Sequence, residues 1–134
     1  MADNIKNNNK KRLTIGYLAP RFFNGFNLGL FSSVLNAANH DDLNFLCYSG
    51  PSNMLPEYIK QHNIVFDLVD QEKVDGIVCW TSGLFQQEGY LFDIEKFLKK
   101  NSNIPFVCIE KQIRGYPTIL IDNNQGIFDM VSHL

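Results

Sequence analysis

The sequence predicts an α/β fold built on a doubly wound parallel sheet, a Rossmann-like lobe, and two observations carry that expectation. Short apolar runs recur at residues 13–18, 44–48, 76–80, 104–109 and 118–121. Most are apolar on both faces, as in strands covered by helices on each side, whereas a half-wet antiparallel sheet would alternate. Segments with helical periodicity lie between these runs, and strands alternating with helices through right-handed crossovers build a doubly wound sheet. The 134 residues, 45% hydrophobic and 19% charged, suffice for one such unit with its own core.

Residues 1–12 form a polar, Asn-rich leader that reads as disordered, followed by a first strand at 13–18. The first helix spans residues 25–39. At about 100° per residue, Phe26, Leu28, Leu30, Phe31, Val34, Leu35 and Ala38 cover an arc of roughly 200°, twice what one packing face requires. A second subunit is the simplest cover for the excess, with Phe26, Leu30, Phe31 and Leu35 at the contact. A second lobe of the same chain is the alternative. A second strand at 44–48 precedes a helix at 55–62, in which Pro56 is tolerated in the first turn. After the third strand (76–80) comes an amphipathic helix. Leu91, Ile94 and Leu98 form its apolar stripe, Glu88 lies near its start, and Lys99 and Lys100 lie at its end, as the helix dipole prefers. Asn101-Ser102-Asn103 stops it, and Pro105 suits the start of the fourth strand.

Several classes of function are disfavoured. A net charge of −2, with Lys10-Lys11-Arg12 as the only basic cluster, gives no broad attraction for a phosphate backbone, so nucleic-acid binding by this segment is not expected. No apolar run approaches the roughly 20 residues that span a bilayer, and the first nine residues are too polar for a secretory signal, so a cytoplasmic location is expected. Cys47, Cys79 and Cys108 are far apart and each lies in an apolar run. They read as reduced, buried thiols, with no Cys-x-x-Cys pair to suggest a metal.

In a doubly wound sheet ligands sit beyond the carboxyl ends of the strands, where the strand order reverses. Strand one runs into Arg21, Phe22, Phe23 and Asn24, strand three into Thr81, Ser82 and Gly83, strand four into Glu110, Lys111 and Gln112, and strand five into Asp122, Asn123 and Asn124. Converging tips would gather hydroxyls, amides, a carboxylate, a guanidinium and aromatic faces, a mixture suited to a neutral polyhydroxylated ligand such as a sugar. Arg21, Phe22, Phe23, Thr81, Ser82, Glu110, Asp122 and Asn123 are the candidate ligand-binding residues. No Gly-x-Gly-x-x-Gly or Gly-Lys-Ser/Thr loop follows strand one, so a phosphate cradle is not expected. Leu18-Ala19-Pro20 carries no carboxylate to hold Mg²⁺, and His40, His62 and His133 are poorly placed for a Ser/His/Asp triad. Neither catalysis, a cofactor nor a metal is expected.

Five motifs, in order, resemble the lac repressor and periplasmic sugar-binding protein family: Leu13-Thr14-Ile15-Gly16-Tyr17-Leu18, the Phe22-Phe23 pair, Val74-Asp75-Gly76-Ile77-Val78, the 103–110 stretch with its Ile104-Pro105, and Ile121-Asp122-Asn123-Asn124-Gln125-Gly126 running to His133-Leu134. The resemblance covers residues 13–134. It implies a clamp of two similar lobes that close about a hinge on a small molecule. Residues 13–122 would be the amino-terminal lobe, and 123–134 the crossover and start of a truncated second lobe. Twelve polar residues are too few for the helix-turn-helix of the family's regulators, so the resemblance points to a sensor whose output module, such as a kinase or cyclase, follows the clamp. The family often has Asp-Arg where this chain has Glu110-Lys111, and Arg114 is placed to compensate. The expected role is sensing of a sugar-like small molecule in an intracellular signalling or transcriptional regulatory protein, through lobe closure and dimer contacts. The alternatives are a protein-interaction domain of the same fold without a ligand, and a small flavodoxin-like enzyme.

Overall fold

All five apolar runs contribute strands, and every strand points the same way. The computed structural model describes residues 11–20, 25–50, 64–84 and 93–134. Within them run β1 (Thr14–Pro20), α1 (Gly25–His40), β2 (Asn44–Gly50), α2 (Ile64–Asp67), β3 (Gly76–Trp80), α3 (Thr81–Leu84), α4 (Ile94–Lys100), β4 (Phe106–Ile109), β5 (Thr118–Ile119) and α5 (Asn123–His133). The sheet order is β2-β1-β3-β4-β5 and each neighbouring pair is parallel. From β1 the chain moves to one side to place β2, then returns past β1 to add the other three. The order therefore reverses between β1 and β3.

β1 is buried from Gly16 to Pro20. Alternate side chains leave a strand on opposite faces, and the two faces here bury two separate clusters. Tyr17, Ala19, Trp80 and Ile109 meet Leu30, Phe31 and Val34 of α1. Leu18, Ile77, Cys79, Phe106 and Cys108 meet Phe66 of α2 and Phe97 and Leu98 of α4 on the other face. Each such large side chain taken from water stabilises the fold by about 1.5–3 kcal/mol before its entropy is counted. Helices thus cover both faces of an all-parallel sheet, and the strands read as continuous apolar runs for that reason.

The amino edge of the sheet is tied by charge. The Asp75 carboxylate accepts from the Thr14 N–H at 2.8 Å and from Lys11 Nζ at 3.0 Å, while the Asp75 N–H donates to the Thr14 carbonyl at 2.8 Å. Arg12 donates to the carbonyls of Asp42 and Leu43 in the turn between α1 and β2. Lys11 and Arg12, assigned by sequence to a disordered leader, are therefore docked parts of the fold.

Other boundaries shift for local reasons. β4 starts at Phe106, two residues late: Pro105 has no N–H for the ladder, although its carbonyl accepts from the Ile77 N–H at 2.8 Å. β5 keeps only Thr118 and Ile119 of the expected run, and Leu120 and Ile121 lie exposed beyond it. α5 starts at Asn123 because the Asp122 carboxylate caps the Gln125 N–H at 2.9 Å. α4 starts at Ile94 behind Asp93, whose carboxylate accepts from the Lys96 N–H at 3.0 Å. It ends where buried Asn101 donates from both its main-chain and side-chain nitrogens to the Phe97 carbonyl. The helix expected at 55–62 and the first turn expected around Leu91 lie outside the described residues. The short helix α2 carries no sequence signal that predicted it.

Cys47 corrects the expectation of three buried thiols. It is exposed because β2 is an edge strand, whereas Cys79 and Cys108 are buried, free, and face each other in register on β3 and β4. The wide apolar arc of α1 also resolves in part. Phe31 packs its ring on Tyr17 at 6.2 Å and Phe45 at 5.7 Å, so it serves the core. Phe26 and Leu28 are each 56% exposed. Among the described residues no helix is long and apolar enough to cross a membrane, and no group of three His, Cys, Asp or Glu could hold a metal ion.

Two outcomes test this packing. A β-carbon on Gly50 would fall 2.4 Å from the ring of buried Phe66, so Gly50→Ala should destabilise by about 1–3 kcal/mol, read as a lower urea midpoint at unchanged slope. The Thr14 N–H, then Lys11, hold the Asp75 carboxyl below its ordinary value of 3.8. A depressed acid contributes its stability above the unfolded-state value and loses it as pH falls through the folded one. Asp75→Asn should therefore be less stable than the parent at neutral pH, and the gap should close below about pH 4.

Candidate functional site

A parallel sheet delivers all its carboxyl ends to one edge, and at that edge β3 and β4 are neighbours in register, Trp80 beside Ile109. The three residues that end β3 and open α3 each reach across to the three that leave β4. The Trp80 indole Nε1–H donates to Glu110 Oε2 at 2.8 Å, and the Ser82 hydroxyl donates to the same oxygen. Thr81, wholly buried, has its Oγ1 2.7 Å from the Ile109 carbonyl and 2.6 Å from the Lys111 carbonyl. One hydroxyl has one proton, so it serves those carbonyls alternately while accepting from the Lys111 N–H at 3.2 Å.

These bonds fix an unusual backbone. The Lys111 N–H also bonds the Ile109 carbonyl at 3.0 Å, closing a three-residue γ-turn around Glu110, whose φ is +68°. A positive φ assigns the turn to its rarer, strained hand. A residue of this kind persists only when its surroundings over-determine it, and such residues gather at active sites and ligand clamps. The surroundings here are Thr81 on both flanking residues, Trp80 and Ser82 on the carboxylate, and a 2.8 Å bond from the Glu110 N–H to the Ile119 carbonyl of β5.

Trp80 is itself immobilised. It is 5% exposed and its ring lies 5.8 Å from that of Phe26 in the first turn of α1. Gly83 permits α3 to lie close against the ends of β1 and β3: a β-carbon there would come within 2.8 Å of the Trp80 ring and 2.9 Å of Pro20. Tyr17 lies on the same face under α1, stacked on Phe45 at 5.9 Å. Among the described residues its buried hydroxyl has no hydrogen-bond partner. Burial, then the neighbouring Cys47, Cys79 and Glu110, push its ionisation far above the ordinary tyrosine value.

The structure thus brings together Ser82 and Glu110 of the sequence candidates and turns Thr81 inward as the tie between them. Thr81 is not available to a ligand, because its side chain is buried and saturated by backbone groups. Asp122 and Asn123 are exposed at the same sheet edge, but the Asp122 carboxylate caps α5 and the Asn123 N–H bonds the Ile121 carbonyl. With Leu120, Ile121 and Asn124 they line a shallow, open hollow of about 530 Å³. Among the described residues no hydrogen bond links this pair to Glu110. Arg21, Phe22 and Phe23 lie outside the described residues. A second hollow, of about 320 Å³, lies at the opposite edge between Asp67, Asp70, Lys73 and Lys100, away from the carboxyl tips.

Sequence reasoning missed Trp80 and Gly83. The signal for Trp80 was a bulky indole with a polar handle at the last position of a buried strand, two residues before Ser82. Chemically, the arrangement is an acceptor. Glu110 is half-buried, has no ion pair among the described residues, and receives both of its hydrogen bonds on Oε2. Among the described residues Ser82 has no imidazole to activate it, since His40 bonds Asp41 and His133 ends α5; His62 lies outside them. Compared with protein-family models, curated proteins and solved structures, the chain shows no significant match.

The backbone at 110 can be tested directly. At an ordinary position Gly is less stable than Ala by about 0.5–1 kcal/mol. A left-handed residue reverses that order, so Glu110→Gly should exceed Glu110→Ala in stability by about 1 kcal/mol by chemical denaturation. An Ala variant as stable as the Gly variant would rule out the γ-turn.

Proposed function

We propose that residues 13–122 form a doubly wound, Rossmann-like lobe of a two-lobed small-molecule sensor, of the lac repressor and periplasmic sugar-binding kind, in an intracellular signalling or transcriptional regulatory protein. The observation that carries this reading is the strained, hydrogen-bonded Glu110 carboxylate, held with no ion pair from any described residue at the carboxyl edge of a parallel sheet, the edge at which such folds take their ligands. A held acceptor with neutral donors around it suits a polyhydroxylated ligand. Glu110 and Asp122 would contact it from this lobe, with Ser82 holding Glu110 from behind, Arg21, Phe22 and Phe23 contributing from the segment after β1, and Asn123 from the crossover.

A second lobe is supported by α5. Ile127, Met130 and Val131 recur at i, i+3 and i+4, each more than half exposed. An isolated helix of this length is marginal in water, and a helix with such a stripe needs a packing partner. A lobe beginning at residue 123 would supply one, and the exposed 119–121 segment would then be the hinge. Phe26 and Leu28, exposed on α1, fit the dimer contact through which occupancy would be transmitted.

The same two side chains favour the second reading, a protein-interaction domain that retains the fold without a ligand. One experiment separates them. Thermal melting of the full-length protein against D-glucose, D-galactose, D-ribose, adenosine and free amino acids should reveal a compound that raises the melting temperature, by an amount growing with its concentration. Silence across the panel, together with a mass by light scattering that halves in Leu28→Asp, would favour the interaction domain.

A further inference from the structure

We infer that Trp80 and Ser82 are positioning residues that saturate one oxygen of Glu110 and present the other, so a ligand meets this carboxylate through Oε1 and not as a fork across both oxygens. The inference rests on the ligand-sensing reading and narrows it to a chemical class.

A carboxylate has two oxygens and about four lone-pair sites. At Glu110 the Trp80 indole and the Ser82 hydroxyl both bond Oε2, which fills that oxygen, while no bond to Oε1 is made by any described residue. A guanidinium or a pair of neighbouring hydroxyls chelates a carboxylate through both oxygens. That geometry is closed here, and donors that converge on Oε1, such as a hydroxyl or an ammonium group, are what remain. Neither donor is free to move aside. The indole is wedged between Phe26 and the α-carbon of Gly83, and Ser82 follows Thr81, whose hydroxyl is bonded to both neighbours of Glu110. The backbone at 110 is equally held, since the γ-turn cannot open without breaking the Thr81 bonds. The carboxylate therefore meets its ligand with its direction already set, and little ordering is left to oppose binding.

The indole Hε1 of Trp80 is identified in a ¹⁵N-correlated NMR spectrum as the signal lost in Trp80→Phe. In the full-length protein this proton should exchange slowly and shift markedly in Glu110→Gln. An indole signal unaffected by Glu110→Gln would overturn the inference at once. The second arm uses the compound from the melting panel that binds best. Ser82→Ala and Trp80→Phe should each weaken its binding by about tenfold, the loss expected for one hydrogen bond to a charged group, while the Ser82→Ala melting temperature falls by no more than about 4 °C. Analogues of that compound lacking one donor should identify the donor that meets Oε1 as the one whose loss costs nothing in Glu110→Ala, and a compound whose binding needs two donors spaced as in a guanidinium or a vicinal diol, both silent in Glu110→Ala, would reveal a two-oxygen fork and overturn the claim. A compound that binds both positioning variants as it binds the parent protein would overturn the positioning role and leave the sensor reading standing. A silent panel with the indole signature intact would sink the sensor reading and the positioning role together, leaving the contact as a tie between β3 and β4.

Discussion

Strand β1 has no free side. Its edges are hydrogen-bonded to β2 and β3, and its faces lie under α1 on one side and the α2 and α4 cluster on the other. A peptide so enclosed must satisfy every backbone group through its neighbours, and any polar side chain at 17–19 would have to find a partner in the core. Even Gly16 lacks room, since a β-carbon there would sit 3.2 Å from Val74. The register set on β1, with Ile15 opposite both Phe45 and Gly76, passes to β4 and β5 through β3. Because every pairing is parallel, the chain must leave each strand at one edge. The position of the candidate site is thus a consequence of how the core is buried, before any site residue is considered.

Burial on both faces is also why so much of the fold was legible. A strand enclosed by helices is written as an unbroken apolar run, and five such runs gave five strands. What the runs do not encode is which strand lies at the edge. Residues 44–48 read as core, yet β2 borders the sheet, so Leu46 and Cys47 meet solvent while Tyr48 does not. Strand ends were similarly opaque where they depended on a neighbour: β5 stops after two residues although Leu120 and Ile121 continue the apolar run. The docking of Lys11 and Arg12 was invisible for another reason. Their partners, Asp75 and the carbonyls of 42 and 43, are distant in sequence, and a polar leader looks the same whether or not it finds them.

At the site the legible part was composition and the illegible part was direction. Sequence placed Thr81, Ser82 and Glu110 at strand tips, and there they lie. It could not tell that Thr81 turns inward and Ser82 toward the carboxylate, because in register neighbours one residue decides which side of the tip a side chain takes. Trp80 was counted as core, and by burial it is, but its Nε1–H makes it also the partner of Glu110. The γ-turn left no mark, since the usual announcement of a left-handed residue is Gly, Asn or Asp, and here the position is held by Glu.

That choice of residue bears on function. The tie between β3 and β4 needs only Thr81, whose hydroxyl joins the strand ends on both flanks of residue 110. Glycine at 110 would adopt the same backbone without strain, and a neutral side chain would avoid holding a half-buried charge that no described residue pairs. The chain instead keeps a carboxylate in a conformation that costs on the order of 1–3 kcal/mol and surrounds it with two side-chain donors to hold it there. Packing does not require that arrangement, and stability argues against it. A fixed acceptor at the edge where parallel sheets bind ligands would account for both the charge and the strain, and on this the binding role proposed for the lobe rests.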